Sequence, residues 1–158
     1  MSYGGRGGEL SAIYRDVSLV PGIRGPDSSM QFVAPGSVTR RQFGLFRRDM
    51  NPHSGGPGAH FHRTFSESFY VIEGTVRLYD GKGWVEGNAG DFLYVPKGGI
   101  HAFRNDGDKP ASMLIIFTPG TARERYFIEM NEIRKSGRRL SPAEETKLLA
   151  RHDQYMVK

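Results

Sequence analysis

The feature that most constrains this fold is a series of short apolar runs, spaced about ten residues apart and separated by glycine and proline. The chain of 158 residues contains 21 glycines and 9 prolines, which lie between the runs and not in low-complexity tracts. The predicted strands span residues 30–34, 41–50, 68–73, 75–79, 84–86, 92–95, 101–105 and 111–118. This pattern is typical of an antiparallel β-sandwich or barrel.

The length fits a single domain. We predict three parts: an N-terminal arm over residues 1–29, a barrel over residues 30–118, and a helical extension over residues 119–158. In the last predicted strand both alternating faces are apolar from Met113 to Phe117, so this strand needs cover on both sides. The C-terminal extension is the expected cover, or else a dimer contact.

Two helices are predicted in this extension. Thr121 and Glu124 have the spacing of a capping box, and the helix that they start would run to Lys135, before Gly137. Ser141, followed by Pro142 and Glu144, repeats the start signal for a second helix that reaches about His152.

Composition and charge exclude several classes of function. The absence of cysteine removes disulfide scaffolds, thiolate zinc sites and iron–sulfur clusters. No apolar stretch approaches the roughly 20 residues of a membrane span, and the first residues lack the apolar core of a secretory signal, so we expect a cytoplasmic protein without a membrane partner. The net charge of +5 comes from both ends of the chain without interleaved aromatic residues, and we therefore expect no nucleic-acid partner.

Histidine is scarce at five residues, and three of them, His60, His62 and His101, are ligand candidates. His60 and His62 are two residues apart, so on a strand their rings would project to the same face about 7 Å apart. Glu67 begins the next strand and His101 lies on a later one. The four side chains could share one metal ion. His53 and His152 are not expected to be ligands.

The complete spacing is more specific than any single histidine. Nine positions form two motifs, which consist of His60, His62, Glu67 and Gly74, followed by Gly90, Pro96, Gly98, His101 and Asn105. This arrangement resembles the two motifs of the cupin superfamily, in particular its small quercetin-dioxygenase-like members, over residues 54–105. Ser54 stands where the family usually has glycine, but Gly55 and Gly56 follow it.

The resemblance implies an all-β fold, a cupin jelly-roll barrel with a C-terminal helical extension. It implies one divalent transition metal per chain, bound by His60, His62, Glu67 and His101, with coordination positions left open for substrate. A ligand set of three nitrogens and one oxygen suits Fe, Mn, Ni, Co, Cu or Zn and does not choose among them. The family also implies a homodimer.

The function implied by this resemblance is a dioxygenase-like oxidoreductase that acts on an aromatic or enolisable small molecule. Glu67 would serve as a metal ligand and as a catalytic proton acceptor. Two alternatives stay open: a redox-neutral metal-dependent isomerase or cyclase, and a non-catalytic cupin that binds a small molecule.

Substrate contacts are predicted from strand alternation. Phe69, Phe103 and Met113 are the apolar candidates. Arg47 or its neighbour Arg48 is predicted to meet an anionic group, and only one of the two can face inward on a strand. Arg47 is the residue assigned to this role.

Overall fold

The predicted alternation produces antiparallel sheets in the computed structural model, which describes residues 4–5, 7–8 and 10–157. The strands are β1 (Gly22–Arg24), β2 (Ser28–Ala34), β3 (Gly44–Met50), β4 (His60–Phe61), β5 (Ser66–Glu73), β6 (Thr75–Tyr79), β7 (Trp84–Asn88), β8 (Phe92–Val95), β9 (Ala102–Arg104), β10 (Ala111–Thr118) and β11 (Tyr155–Met156). The helices are α1 (Glu124–Lys135) and α2 (Pro142–Arg151), and a short 3-10 helix spans Val17–Leu19.

The strands pair into three sheets. The largest has the order β1-β2-β3-β10-β5-β8, a second has the order β7-β6-β9, and the third pairs β11 with β4. Every pairing in these sheets is antiparallel. The all-β class with a C-terminal helical extension is thus confirmed.

The inward side chains of the two larger sheets form one apolar core. At its centre the Phe46 ring packs against the rings of Phe32, Phe117 and Phe127, with centroids 5.3–5.7 Å apart. Phe127 belongs to α1, so the C-terminal extension covers the inner side of the six-stranded sheet at this point.

Several strand boundaries in the structure differ from those predicted. The strand predicted from residue 41 begins at Gly44, because Arg40 and Arg41 adopt left-handed backbone angles with φ of 53° and 61°. The segment predicted as an N-terminal arm contains β1 and the start of β2, so the sheet begins at Gly22. The rest of the predicted arm includes residues 1–3, 6 and 9, which lie outside the described residues.

The second helix starts as predicted, and the first does not. Ser141 and Glu144 form a reciprocal capping box at the start of α2. The predicted Thr121–Glu124 box is wrong, because the N-terminal residue of α1 is capped by no side chain and the Thr121 hydroxyl has no hydrogen-bond partner among the described residues. Arg123 fixes this end instead, since its guanidinium donates to the carbonyl of His152 and to Gln154 Oε1.

In the part of the chain that the structure describes, neither helix has the length and hydropathy needed to cross a membrane.

Candidate metal centre

Four side chains from separate elements meet inside the barrel. His60 lies on β4, His62 follows it, Glu67 lies on β5, and His101 precedes β9. A pair of backbone hydrogen bonds, 2.9 and 3.0 Å long, joins His60 to His101. One potential ligand atom from each of the four residues lies within 4.8 Å of the others, and all four residues are buried. The structure thus brings together the whole predicted ligand set.

Backbone carbonyls orient all three rings. The Nδ1 atoms of His60 and His101 lie 2.8 and 3.1 Å from the carbonyl oxygens of Gly58 and Gly99. That of His62 lies 2.6 Å from the carbonyl of Asp153, which is 91 residues away in the chain. A carbonyl only accepts, so each Nδ1 carries the hydrogen and donates it. In a neutral ring Nε2 then keeps its lone pair, as metal ligation requires.

The contacts with Glu67 test whether these residues fit a metal ion. Nε2 of His62 and Nε2 of His101 lie 3.0 and 2.8 Å from the same carboxylate oxygen, Oε2. Because Nδ1 holds the single N–H of a neutral imidazole, each Nε2 can donate to this oxygen only if its ring carries a second proton. A divalent cation among these atoms would take the place of those protons, and three nitrogens with one carboxylate are ligands that transition metals accept. The cluster therefore fits a single metal site.

Burial and mutual contacts set the charge of the cluster. Burial, with His101 nearby, lowers the pKa of His60 to about 3, so this ring is neutral at physiological pH. Burial alone would raise the pKa of Glu67, but hydrogen bonds from His101 and His62 outweigh it and hold that pKa well below its ordinary value. Burial works against the charged form of His101 too, but the hydrogen bond to Glu67 prevails and raises its pKa.

A cavity of about 470 Å³ opens beside the cluster and reaches His60 and Glu67. Aromatic and aliphatic side chains form much of its wall: Ile23, Met30, Phe103, Ile115, Tyr126, Phe127 and Met130. Such a volume and apolar lining are typical of a site for a small organic molecule.

The predicted apolar contacts divide between the cavity and the core. Phe103 lines the cavity, as predicted. Phe69 and Met113 are fully buried in the core and are not among the residues that line it. The Phe69 ring supports the site from behind, with its centroid 5.6 Å from that of Phe103 and 5.8 Å from that of His101.

The arginine assigned to the substrate is corrected. Arg47 is on the outer face of β3, where its Nε lies 3.0 Å from Asp49 Oδ1, whereas Arg48 lines the cavity. The inward face of this strand is set by Phe46 and Met50, both buried, and alternation places Arg48 between them.

The contribution of the C-terminal extension to the cavity was not predicted from the sequence. Arg123 and the α1 residues Tyr126, Phe127, Met130 and Arg134 all line it. A helical periodicity identifies an apolar face but not the element on which that face packs, so the sequence held no local signal for this placement.

The two remaining histidines lie away from the cluster. His53 is exposed, with Nε2 2.8 Å from Asp108 Oδ1. His152 contacts Glu129 at 2.6 Å. These two residues are therefore suitable controls for the metal site.

The fold and the cluster together define a class of protein, a β-barrel with a buried His/Glu cluster that fits a single metal ion and with a cavity beside it. A family model described as "Cupin domain" matches residues 46–117. Residues 46–117 thus match a cupin domain, in agreement with the two motifs.

Comparison with individual proteins gives partial matches. The chain is 33% identical over 61 residues to quercetin 2,3-dioxygenase from Bacillus subtilis, a match that covers 39% of this chain and 18% of that enzyme. A crystal structure of a predicted oxalate decarboxylase from Thermotoga maritima superposes with a TM-score of 0.61 at 19% identity, covering 68% of this chain and 99% of the other. A sugar phosphate isomerase from Silicibacter pomeroyi superposes with a TM-score of 0.55 at 25% identity, covering 67% and 75% of the two chains.

Proposed function

We propose that this chain is a mononuclear metal-dependent cupin enzyme, a dioxygenase that acts on an aromatic or enolisable small molecule. The observation that carries the proposal is the buried set of His60, His62, Glu67 and His101, which opens into an apolar cavity. The local similarity to quercetin 2,3-dioxygenase supports dioxygen chemistry. That enzyme is much longer than the matching segment, so the activity and the substrate are both part of the proposal.

A bound divalent transition metal would supply Lewis acidity toward substrate oxygens and, if redox-active, electron transfer to dioxygen. The protein supplies the rest. The three histidines hold their Nε2 atoms toward one point, and Phe103, Tyr126 and Phe127 offer flat apolar surfaces that orient a planar substrate and exclude water.

Glu67 has two tasks in this proposal. Its lowered pKa keeps the carboxylate ionised at neutral pH, as a metal ligand must be. Oε2 receives both histidines, while Oε1 has no hydrogen-bond partner among the described residues. Oε1 is therefore the oxygen that would accept a proton from an enol or phenol hydroxyl of the substrate.

A second candidate function is redox-neutral isomerisation or cyclisation with the same ligands. The structural similarity to a sugar phosphate isomerase, at 25% identity, favours it. Oxygen consumption separates the two candidates, because only the dioxygenase uses dioxygen. A cupin that binds a small molecule without turnover is the remaining alternative.

The first test is elemental analysis of protein purified without an affinity-tag metal. We expect about one transition metal per chain in the wild type and a loss of most of it in His60→Ala/His101→Ala, because removal of two ligands abolishes the chelating set. The matched control is His53→Ala/His152→Ala, which removes two histidines outside the cluster and should retain the metal.

The second test measures activity. Oxygen uptake with catechols, flavonols or diketones, lost in the double ligand variant, would support the dioxygenase, whereas turnover without oxygen uptake would support the isomerase or cyclase. A wild-type protein that neither contains metal nor binds it on reconstitution would contradict the proposal. The small-molecule substrate, the cytoplasmic location and the homodimer stay predictions.

A further inference from the structure

The charge of the cavity wall is strongly unbalanced. Arg48, Arg123 and Arg134 line it, and the only carboxylate among the described lining residues is Glu67. Glu67 is already engaged with His62 and His101. The wall thus carries more positive than negative charge close to the cluster of three histidines and Glu67.

Arg48 has no acidic partner among the described residues. Its Nη2 donates to the Ser28 hydroxyl at 2.9 Å, and its Nε is buried without a hydrogen-bond acceptor. The guanidinium carbon lies 5.6 Å from the centre of the Phe103 ring, so the cation and the aromatic wall are neighbours. A hydroxyl satisfies one N–H but does not neutralise the charge.

Arg123 is also buried at the cavity and also has only uncharged hydrogen-bond acceptors. It is only 5% exposed, and both of its terminal nitrogens donate to uncharged acceptors, the carbonyl of His152 and Gln154 Oε1. Its Nε is also buried without an acceptor among the described residues. The Tyr126 ring lies 4.0 Å below the guanidinium carbon. Glu67 and Asp153 act on the charge of Arg123 without a hydrogen bond to it. A buried charge without an anionic hydrogen-bond partner is unfavourable.

Several surface arginines of the same chain, in contrast, form ion pairs. Arg47, Arg104 and Arg138 each lie within 3.0 Å of a carboxylate oxygen. The chain therefore has acidic residues available for its arginines, but among the described residues neither Arg48 nor Arg123 has a carboxylate as a hydrogen-bond partner.

We infer that the ligand of this cavity is a small aromatic carboxylate, whose anionic group binds Arg48 in the field of Arg123 and whose ring lies against Phe103. A planar guanidinium matches a planar carboxylate through paired hydrogen bonds. This inference names the substrate class and rests on the proposed function, because it places the substrate in the same cavity.

Isothermal titration calorimetry with two probes of equal shape tests the inference: 4-hydroxybenzoate, which is anionic, and 4-hydroxybenzamide, which is neutral. Both are titrated into metal-loaded and into chelator-treated full-length protein. We expect the wild type to prefer the carboxylate by about tenfold or more in both forms, because the contact is a charge-assisted hydrogen bond.

Arg48→Met should bring the two affinities close to each other, and Arg48→Lys, which keeps the charge but not the planar fork, should retain part of the preference. Arg47→Met is the matched control, since it removes the neighbouring arginine from the outer face of β3 and should leave the preference unchanged. A thermal melt of each variant verifies folding. Arg123 is not substituted, because it also anchors the start of α1.

The outcomes separate this inference from the proposed function. A carboxylate preference that persists in His60→Ala/His101→Ala would support the anion site even if the metal enzyme fails. Equal affinity for the two probes in a wild type that binds metal and consumes oxygen would overturn the inference alone. No binding of 4-hydroxybenzoate at millimolar concentration, or equal losses in Arg47→Met and Arg48→Met, would also overturn it.

Discussion

Gly55 and Gly56 are neighbours in the loop before β4, but only one of them has room for a side chain. A Cβ at Gly56 would lie 1.9 Å from the carbonyl oxygen of Phe103, whereas a Cβ at Gly55 would meet nothing within 4 Å. The loop therefore lies directly against a strand that lines the cavity, and this close approach depends on glycine at position 56.

We expect Gly56→Ala to lower the free energy of unfolding by about 1–3 kcal/mol, because the methyl group must displace backbone. Gly55→Ala should change it by no more than about 0.5 kcal/mol, as at an unconstrained surface position. Chemical denaturation of the two variants measures the difference. Similar stability of both would show that the loop does not hold this position.

Single residues also show how much of the site could be predicted from the sequence. The metal ligands were predictable because their spacing forms a motif, and the structure brings all four together. The choice between Arg47 and Arg48 was decided by the burial of Phe46 and Met50, which strand alternation in the sequence alone did not show.

At the scale of the elements, the two helices differ in what fixes their starts. The α2 cap is local: Ser141 Oγ accepts from the Glu144 amide, while the Glu144 carboxylate accepts from the Ser141 amide at 2.9 Å. The α1 start depends on contacts of Arg123 with residues 29 and 31 positions away. A sequence pattern predicts the first kind of start and not the second.

We expect Ser141→Ala to lower the free energy of unfolding by about 1 kcal/mol, because the amide at the start of α2 loses its acceptor. Buried Leu148 and Leu149 connect α2 to the rest of the protein, so denaturant titration reports this loss. Thr121→Ala is the control and should be close to neutral, because its hydroxyl has no partner among the described residues.

The effect of Ser141→Ala should depend on pH. Hydrogen bonds from the Ser141 amide and hydroxyl, with Arg138 nearby, lower the pKa of Glu144 to about 2, compared with an ordinary value of 4.5. A carboxylate with a lowered pKa in the folded state stabilises the fold above its unfolded pKa and loses this effect as the pH falls through the folded pKa. The difference between wild type and variant should therefore shrink between pH 4.5 and 2. A constant difference over this range would contradict the role of the carboxylate.

At the scale of the whole molecule, the edge of the six-stranded sheet formed by β5 and β8 has an apolar outer face. Tyr70 and Ile72 on β5 are 42% and 37% exposed, and Phe92 and Tyr94 on β8 are 59% and 58% exposed. Tyr70 pairs with Phe92 in the register of these strands, so the four side chains form one continuous patch at the sheet edge. Such a patch is typical of a protein contact.

The predicted homodimer can be tested at this patch. We expect the wild type to be a dimer by size-exclusion chromatography with light scattering, and Phe92→Lys/Tyr94→Lys to be a monomer with unchanged metal content, because two charges would be buried in the contact. Val85→Lys, an exposed position on the three-stranded sheet, is the control and should stay dimeric. A monomeric wild type would contradict the predicted homodimer.

The strand pattern and motif spacing predicted the architecture, because side-chain alternation and tight turns are properties of short segments. The position of the C-terminal extension could not be predicted in this way, because it depends on contacts between residues distant in sequence. One such contact is the pairing of β11 with β4, and another is the packing of α1 at the cavity. Tyr155 pairs with Phe61 on the strand that carries His60.

The contact between His62 and Asp153 affects when the His/Glu cluster can form during synthesis of the chain. The carbonyl that orients the His62 ring follows it by 91 residues. At a synthesis rate of about 5–20 residues per second, this partner is made roughly 5–18 seconds after the histidine. During that interval His62 lacks its orienting carbonyl, and Arg63 and Thr64 lack the Asp153 carboxylate that their amides bind. Assembly of the complete metal site is therefore a late step, after the barrel strands have been synthesised.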